Sequence, residues 1–168
     1  MAVKTNAQLA AFFETGDQPS QAEFGHLIDT IVPTPVLLTD ADTTLTEAAN
    51  GMRMNILPDL GANRTFSIPT PSAAGVWYRF IYGGAAADTD NHIIDTVTTD
   101  NSVYFKGAIA HLDTNADNVA VYSNGSSNSQ FTSTDTGFLD ITFWAYSTTI
   151  WYVVGSVVSA TAPAFADQ

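Results

Sequence analysis

Residues 139–158 read LDITFWAYSTTIWYVVGSVV, and this is the densest apolar stretch in the chain. Side chains alternate across an extended strand, so Leu139, Ile141, Phe143 and Ala145 share one face while Asp140, Thr142, Trp144 and Tyr146 share the other. Residues 150–158 are apolar at almost every position. That pattern is expected of a return strand covered on both faces or sitting at a subunit contact. Ser147, Thr148 and Thr149 join the two strands, and the pair reads as a hairpin around which the rest of the chain is arranged.

Working outward, short β-patterned runs alternate with turn signals from residue 36 onward, and no segment there holds a helical period. The runs are 36–38, 52–56, 65–68, 76–82, 92–97, 103–109, 119–122 and 130–132, which with the hairpin make about nine or ten strands. Asn50-Gly51, 59–61, Gly83-Gly84, Asp100-Asn101, Asn124-Gly125 and 135–137 mark turns. Residues 39–50 fit either a helical turn beginning near Thr44 or a strand leading into Asn50-Gly51. Regular short strands without interleaved helices predict a mainly β fold, an antiparallel sandwich or jelly-roll-like domain.

Helical signals are confined to the first thirty or so residues. Thr5 with Gln8, and Ser20 with Glu23, fit the capping box, in which a hydroxyl and a side chain three residues on satisfy each other's amides. The first helix carries Leu9, Phe12 and Phe13 and ends at Thr15-Gly16. The second carries Phe24, Leu27, Ile28 and Ile31 at i, i+3, i+4 and i+7, and Pro33 ends it. Such a hairpin is too small to stand alone. Its apolar stripes must be covered by its own β domain, by copies of itself or by another protein. Pro33-Thr34-Pro35 is the one plausible boundary, which divides the chain into a helical hairpin at 1–32, a β domain at 36–160 and a tail at 161–168.

Composition narrows the function classes. The chain has 168 residues, 45% of them hydrophobic and only 13% charged, against a charged share of ~25% in an average soluble domain. Either other subunits cover much of the surface, or a Ser-, Thr- and Asn-rich surface keeps it soluble. Five basic residues against seventeen acidic ones give a net charge of −12, which repels nucleic acid and anionic membranes. The longest apolar run is too short to span a bilayer, and residues 1–6 lack a secretion signal. Without cysteine there is no disulfide or thiolate chemistry, so stability is expected from packing and assembly.

No catalytic constellation is visible. His26, His92 and His111 are scattered without metal-ligand spacing, the three glutamates lie in the first third, and no G-x-S-x-G elbow or phosphate-cradling glycine loop occurs. The chain therefore reads as a non-enzyme without a cofactor. Asp113, Asn115 and Asp117 alternate as at the start of a calcium loop, but Asn118 stands where glycine is needed and Asn124 where a bidentate glutamate is needed. An ordinary Asx turn is the simpler account, and the run at 88–91 takes the same discount. Trp77, Tyr78, Tyr82, Trp144, Tyr146, Trp151 and Tyr152 could form a glycan platform. Core or subunit packing is the more economical use, with Trp144, Tyr146, Trp151 and Tyr152 as the subunit contact.

Residues 5–29, TNAQLAAFFETGDQPSQAEFGHLID, resemble a motif at the N-termini of tailed-bacteriophage virion proteins, through the Thr15-Gly16-Asp17 turn, the Pro19-Ser20 helix start and the Phe24-x-x-Leu27-Ile28-Asp29 face. The remainder, through 37–46, 74–80, 113–122 and 151–155, is similar to small head-decoration or head-fibre proteins. The resemblance implies a virion structural protein on the outer surface of the head, made in the host cytoplasm. With the low charge and the apolar strand at 150–158 it leads to the expectation of a homotrimer, and the uncovered apolar stripes make the hairpin the element expected to dock on the major capsid protein, through Leu9, Phe12, Phe13, Phe24, Leu27, Ile28 and Ile31. The resemblance brings no catalytic residues. A tail-fibre, tail-spike or baseplate adaptor is the alternative, and a host-glycan-binding module the third.

Overall fold

The computed structural model describes residues 9–13, 18–31, 34–84, 87–115 and 118–168. These form a mainly β protein in which two sheets enclose one core. The strands are β1 (Val36–Leu37), β2 (Thr43–Thr44), β3 (Arg53–Ile56), β4 (Arg64–Ile68), β5 (Trp77–Tyr82), β6 (His92–Thr96), β7 (Tyr104–Asp113), β8 (Val119–Tyr122), β9 (Gln130–Ser133), β10 (Thr136–Ala145), β11 (Ile150–Ser159) and β12 (Ala164–Ala166). One sheet has seven strands in the order β1-β3-β5-β10-β11-β7-β8, and the other has five in the order β12-β9-β6-β4-β2.

The predicted antiparallel arrangement needs correction, because both sheets are mixed. The pairs β1 with β3, β3 with β5, β2 with β4, β4 with β6, and β11 with β7 are all parallel. The cause lies in the path of the chain. From β1 to β7, successive strands alternate between the two sheets. A short loop reverses the chain but delivers it to the opposite layer, so neighbours within a layer are two strands apart and run the same way. The hairpin of β10 and β11 is then inserted between β5 and β7, antiparallel to β5 through Leu139↔Tyr82 to Trp144↔Trp77 and parallel to β7 through Ile150↔Tyr104 to Ser159↔Asp113. The stretch picked out as the organising hairpin is thus the middle of the larger sheet.

Its inward face is the one expected. Leu139, Ile141, Phe143 and Ala145 are buried, with Trp151, Val153 and Val157 from β11 beside them. Phe143 packs edge-on against Phe80 and tilted against Phe105. Phe66 and Ile68 of β4, Ile94 of β6 and Phe131 of β9 close the core from the smaller sheet. Phe165 of β12 bridges the layers, lying 6.4 Å from Phe105 and 5.3 Å from Phe131 between ring centres. The segment read as a tail therefore contributes a strand and a core ring.

Residues 39–50 hold both structures that the sequence left open: β2, then a one-turn helix α2 (Glu47–Asn50) capped by the Thr46 hydroxyl on the Ala49 amide. Asn50-Gly51 closes that helix rather than a hairpin. The Asn50 side-chain amide donates to Asn55 Oδ1 at 3.0 Å, and Asn55 Nδ2 donates back to the Asn50 carbonyl at 3.1 Å, so two buried amides satisfy each other where β3 begins.

Of the helical hairpin, the described part is a turn of 3-10 helix (Ala11–Phe13) and the helix α1 (Gln21–Ile31). The Ser20–Glu23 capping box is present, with Ser20 N donating to Glu23 Oε2 at 2.6 Å and Glu23 N to Ser20 Oγ at 3.3 Å. Those bonds hold the Glu23 carboxyl below its ordinary range. The Thr5–Gln8 box, the Thr15-Gly16 turn and the side chains of Phe13 and Ile31 lie outside the described set.

Candidate functional site

The two sheets present opposite kinds of surface. On the five-stranded sheet the outward positions are Thr65, Ser67, Ile93, Asp95, Gln130 and Thr132, mostly small and polar. On the seven-stranded sheet rings and aliphatic side chains predominate, with Thr142, Ser156 and three charged side chains among them. The strand register lays them out in rows: Trp77, Trp144 and Tyr152 across β5, β10 and β11; then Thr142, Val154, Ala108 and Tyr122 across β10, β11, β7 and β8; then Phe138, Val158 and Leu112. Trp144 is 52% exposed, Tyr122 74% and Val154 50%. Tyr146 stands edge-on to Tyr152 at 5.0 Å.

Three charged side chains lie at outward positions of β5, β10, β11 and β7: Arg79, Asp140 and Lys106. Arg79 and Asp140 form a two-pronged ion pair, Nε to Oδ1 at 2.8 Å and Nη2 to Oδ2 at 2.6 Å. The hydrogen bond to Asp140 holds the guanidinium above its usual range. Both groups are partly exposed, so the pair contributes little net stability and mainly neutralises charge within an apolar field.

Of the four residues assigned to a subunit contact, Trp144, Tyr146 and Tyr152 are on this face. Trp151 is not. Its parity along β11 turns it inward, where it is fully buried edge-on to Tyr78 at 5.5 Å. Of the two readings of residues 150–158, cover on both faces within the chain is corrected, since Tyr152 and Val154 are exposed and one face of β11 has no cover among the described residues; the subunit contact is the reading left. Tyr78 and Tyr82 are core residues.

On α1, Phe24 is 49% and Ile28 62% exposed, whereas Leu27 is half-buried. Leu9 and Phe12 are half-buried, and the Phe12 ring stacks 6.2 Å from His26. Of the apolar stripe expected on this helix, Phe24 and Ile28 are thus exposed and Leu27 is half-buried.

The calcium-like run is an Asx turn. Asn115 N donates to Asp113 Oδ1 at 2.6 Å, and Asp113 N to Asn118 Oδ1 at 3.1 Å, while Asp117 lies outside the described residues. Among the described residues there is no group of three or more His, Cys, Asp or Glu side chains that could hold a metal. In the second run Asp88 is a backbone latch, accepting from Leu60 N at 2.7 Å and Asp90 N at 3.0 Å.

Beside that latch sits a polar knot that sequence reading passed over. His92 is fully buried, its Nε2 3.1 Å from the Pro58 carbonyl and 3.8 Å from Asp88 Oδ2, and its ring lies 4.6 Å from Tyr82. Tyr82 donates its hydroxyl to Asp59 at 2.8 Å. A ring sealed from solvent with Nε2 committed to a carbonyl is a structural clamp between the 58–60 loop and β6. Burial pushes the His92 pKa below its ordinary 6.5, against the smaller opposing pull of Pro58 and Asp88. The unfolded chain then binds the proton more readily, so stability is fully present above pH 6.5 and declines as pH falls through that value toward the lowered folded pKa. The melting temperature is expected to drop on acidification across this window, and less steeply in His92→Gln, which keeps a donor for Pro58 without titrating. Parallel slopes in differential scanning calorimetry would exclude His92 as the source.

Comparison of the chain with protein-family models, curated proteins and solved structures finds no match.

Proposed function

We propose that the protein is a tailed-phage virion structural protein, a capsid decoration protein or short head fibre. In this reading α1 and the turn before it dock on the major capsid protein, the β domain projects from the outer surface of the head, and copies associate as a homotrimer. The observation that carries it is the exposure of apolar side chains on α1, Ile28 at 62% and Phe24 at 49%. Docking of an amphipathic helix into a groove uses such side chains, with rings as anchors. The resemblance of residues 5–29 to phage N-terminal motifs supports the choice of partner, and the low charge and negative net charge suit a shell-covering protein better than a nucleic-acid binder.

Phe24→Asp and Ile28→Asp alter side chains that are 49% and 62% exposed, so the melting temperature should hold within a few degrees. Binding to undecorated capsids should weaken roughly thirtyfold or more for each anchor lost, the equivalent of about 2 kcal/mol. Variants that still decorate heads would remove α1 as the docking element. Mass spectrometry of intact particles against tail-less heads separates this reading from the tail-fibre or baseplate alternative, which predicts that the protein leaves with the tails.

A further inference from the structure

We propose that the outer face of the seven-stranded sheet is where copies of this chain meet. The inference deepens the self-association part of the preceding reading and is independent of the capsid. Four observations carry it.

The first is breadth. Apolar side chains are spread over three register rows, Trp77, Trp144 and Tyr152 in one, Val154, Ala108 and Tyr122 in the next, and Phe138, Val158 and Leu112 in a third, with Arg79, Asp140, Thr142, Ser156 and Lys106 interspersed. A sugar site needs one or two rings and free hydrogen-bonding groups. Here the central polar pair, Arg79 and Asp140, is already satisfied by its own two-pronged contact.

The second is area. Strands at ~3.3 Å per residue, set ~4.8 Å apart, give a face on the order of 700 Å² when each of the seven is counted at its own length. A stable interface buries about 800 Å² on each partner.

The third is charge. The chain carries −12, so two copies repel through most orientations. Two basic groups and one acidic group stand at outward positions on the four central strands of this face. Copies meeting here keep their acidic residues apart, and the Arg79–Asp140 pairs stay neutral when water leaves.

The fourth is contrast. The opposite sheet, with Thr65, Ser67, Asp95, Gln130 and Thr132 outward, has the surface of a sheet that faces water.

The full-length chain should therefore elute with a light-scattering mass that is a multiple of 17.9 kDa, whether or not it ever binds a capsid. Trp144→Asp combined with Val154→Asp should return the mass to 17.9 kDa with an unchanged far-ultraviolet spectrum. Phe24→Asp should leave the multiple intact. Because the chain has no cysteine, Val154→Cys and Ser126→Cys each supply a single thiol with little disturbance of the fold. The thiol at 154 should react several-fold more slowly than the one at the exposed loop position 126. A wild-type chain that is monomeric at the highest concentration reached, equal thiol rates, or dissociation by Phe24→Asp would each overturn the proposal. A chain that associates through this face yet never appears in particles would refute the virion reading and leave this one standing.

Discussion

Gly155→Ala is expected to destabilise the protein by about 3–5 kcal/mol, combining strained backbone with overpacking, and to lower the melting temperature by roughly 10–20 °C. Gly155 has φ +154° and lies opposite Ile141 in the β10–β11 pair. A Cβ there would collide with the Asp140 carbonyl oxygen and come within 2.7 Å of Ile141 Cα. Neither atom can move without breaking the central ladder. Gly107 is in the same position on β7, with φ +145° and the Val153 carbonyl in the way, so Gly107→Ala should behave alike. Gly125 is the control. Its φ is also positive, at +73°, but the nearest atoms to an added Cβ are the Lys106 side chain at 3.8 Å, so Gly125→Ala should cost only about 1 kcal/mol from backbone conformation. Thermal melting of the three variants checks this, and a mild effect at Gly155 would mean that the two central strands can shift apart.

Trp151→Ala should be comparably severe, about 3–5 kcal/mol, because it empties a fully buried ring site that contacts Tyr78 edge-on. Trp151→Phe should recover much of the loss. It refills part of the space and removes an indole Nε1 that has no hydrogen-bond partner among the described residues. Trp144→Ala, on the outward face of β10, should change the stability of the dilute, unassociated chain by about 1 kcal/mol or less. Urea melts of Trp151→Ala and Trp144→Ala would separate the core indole from the surface one, and equal losses would contradict the inward placement of Trp151.

These two tryptophans show how far the chain could be read without coordinates. The inward set Leu139, Ile141, Phe143 and Ala145 was legible because its alternate positions are Asp140, Thr142, Trp144 and Tyr146, two of them polar enough to mark the outside. On β11 both parities are apolar, Trp151 and Val153 on one side and Tyr152 and Val154 on the other. Composition does not say which ring goes inward, and so the sequence places Trp151 with Trp144, Tyr146 and Tyr152 at a subunit contact. The Ser20–Glu23 capping box was legible because it is a local contact three residues long. β2 and β12, of two and three residues, are too short to show any period, and they exist because β4 and β9 offer them an edge. The His92 knot gave no motif, since its partners Pro58, Asp59, Asp88 and Tyr82 are assembled from separate turns.

The sequence by itself determined a β-rich domain, the positions of most strands, the central hairpin and its inward face. Period-two patterning and turn residues act over fewer than a dozen residues, so such features are written locally. The tertiary structure alone decided that successive strands change sheets, that half of the strand pairings are therefore parallel, and that the hairpin slots between β5 and β7. A turn reverses the chain in the same way whether the next strand pairs with the last or crosses to the facing layer. The choice is made by which layer can bury the next apolar face, and that depends on strands as distant in sequence as those of Trp77 and Trp144.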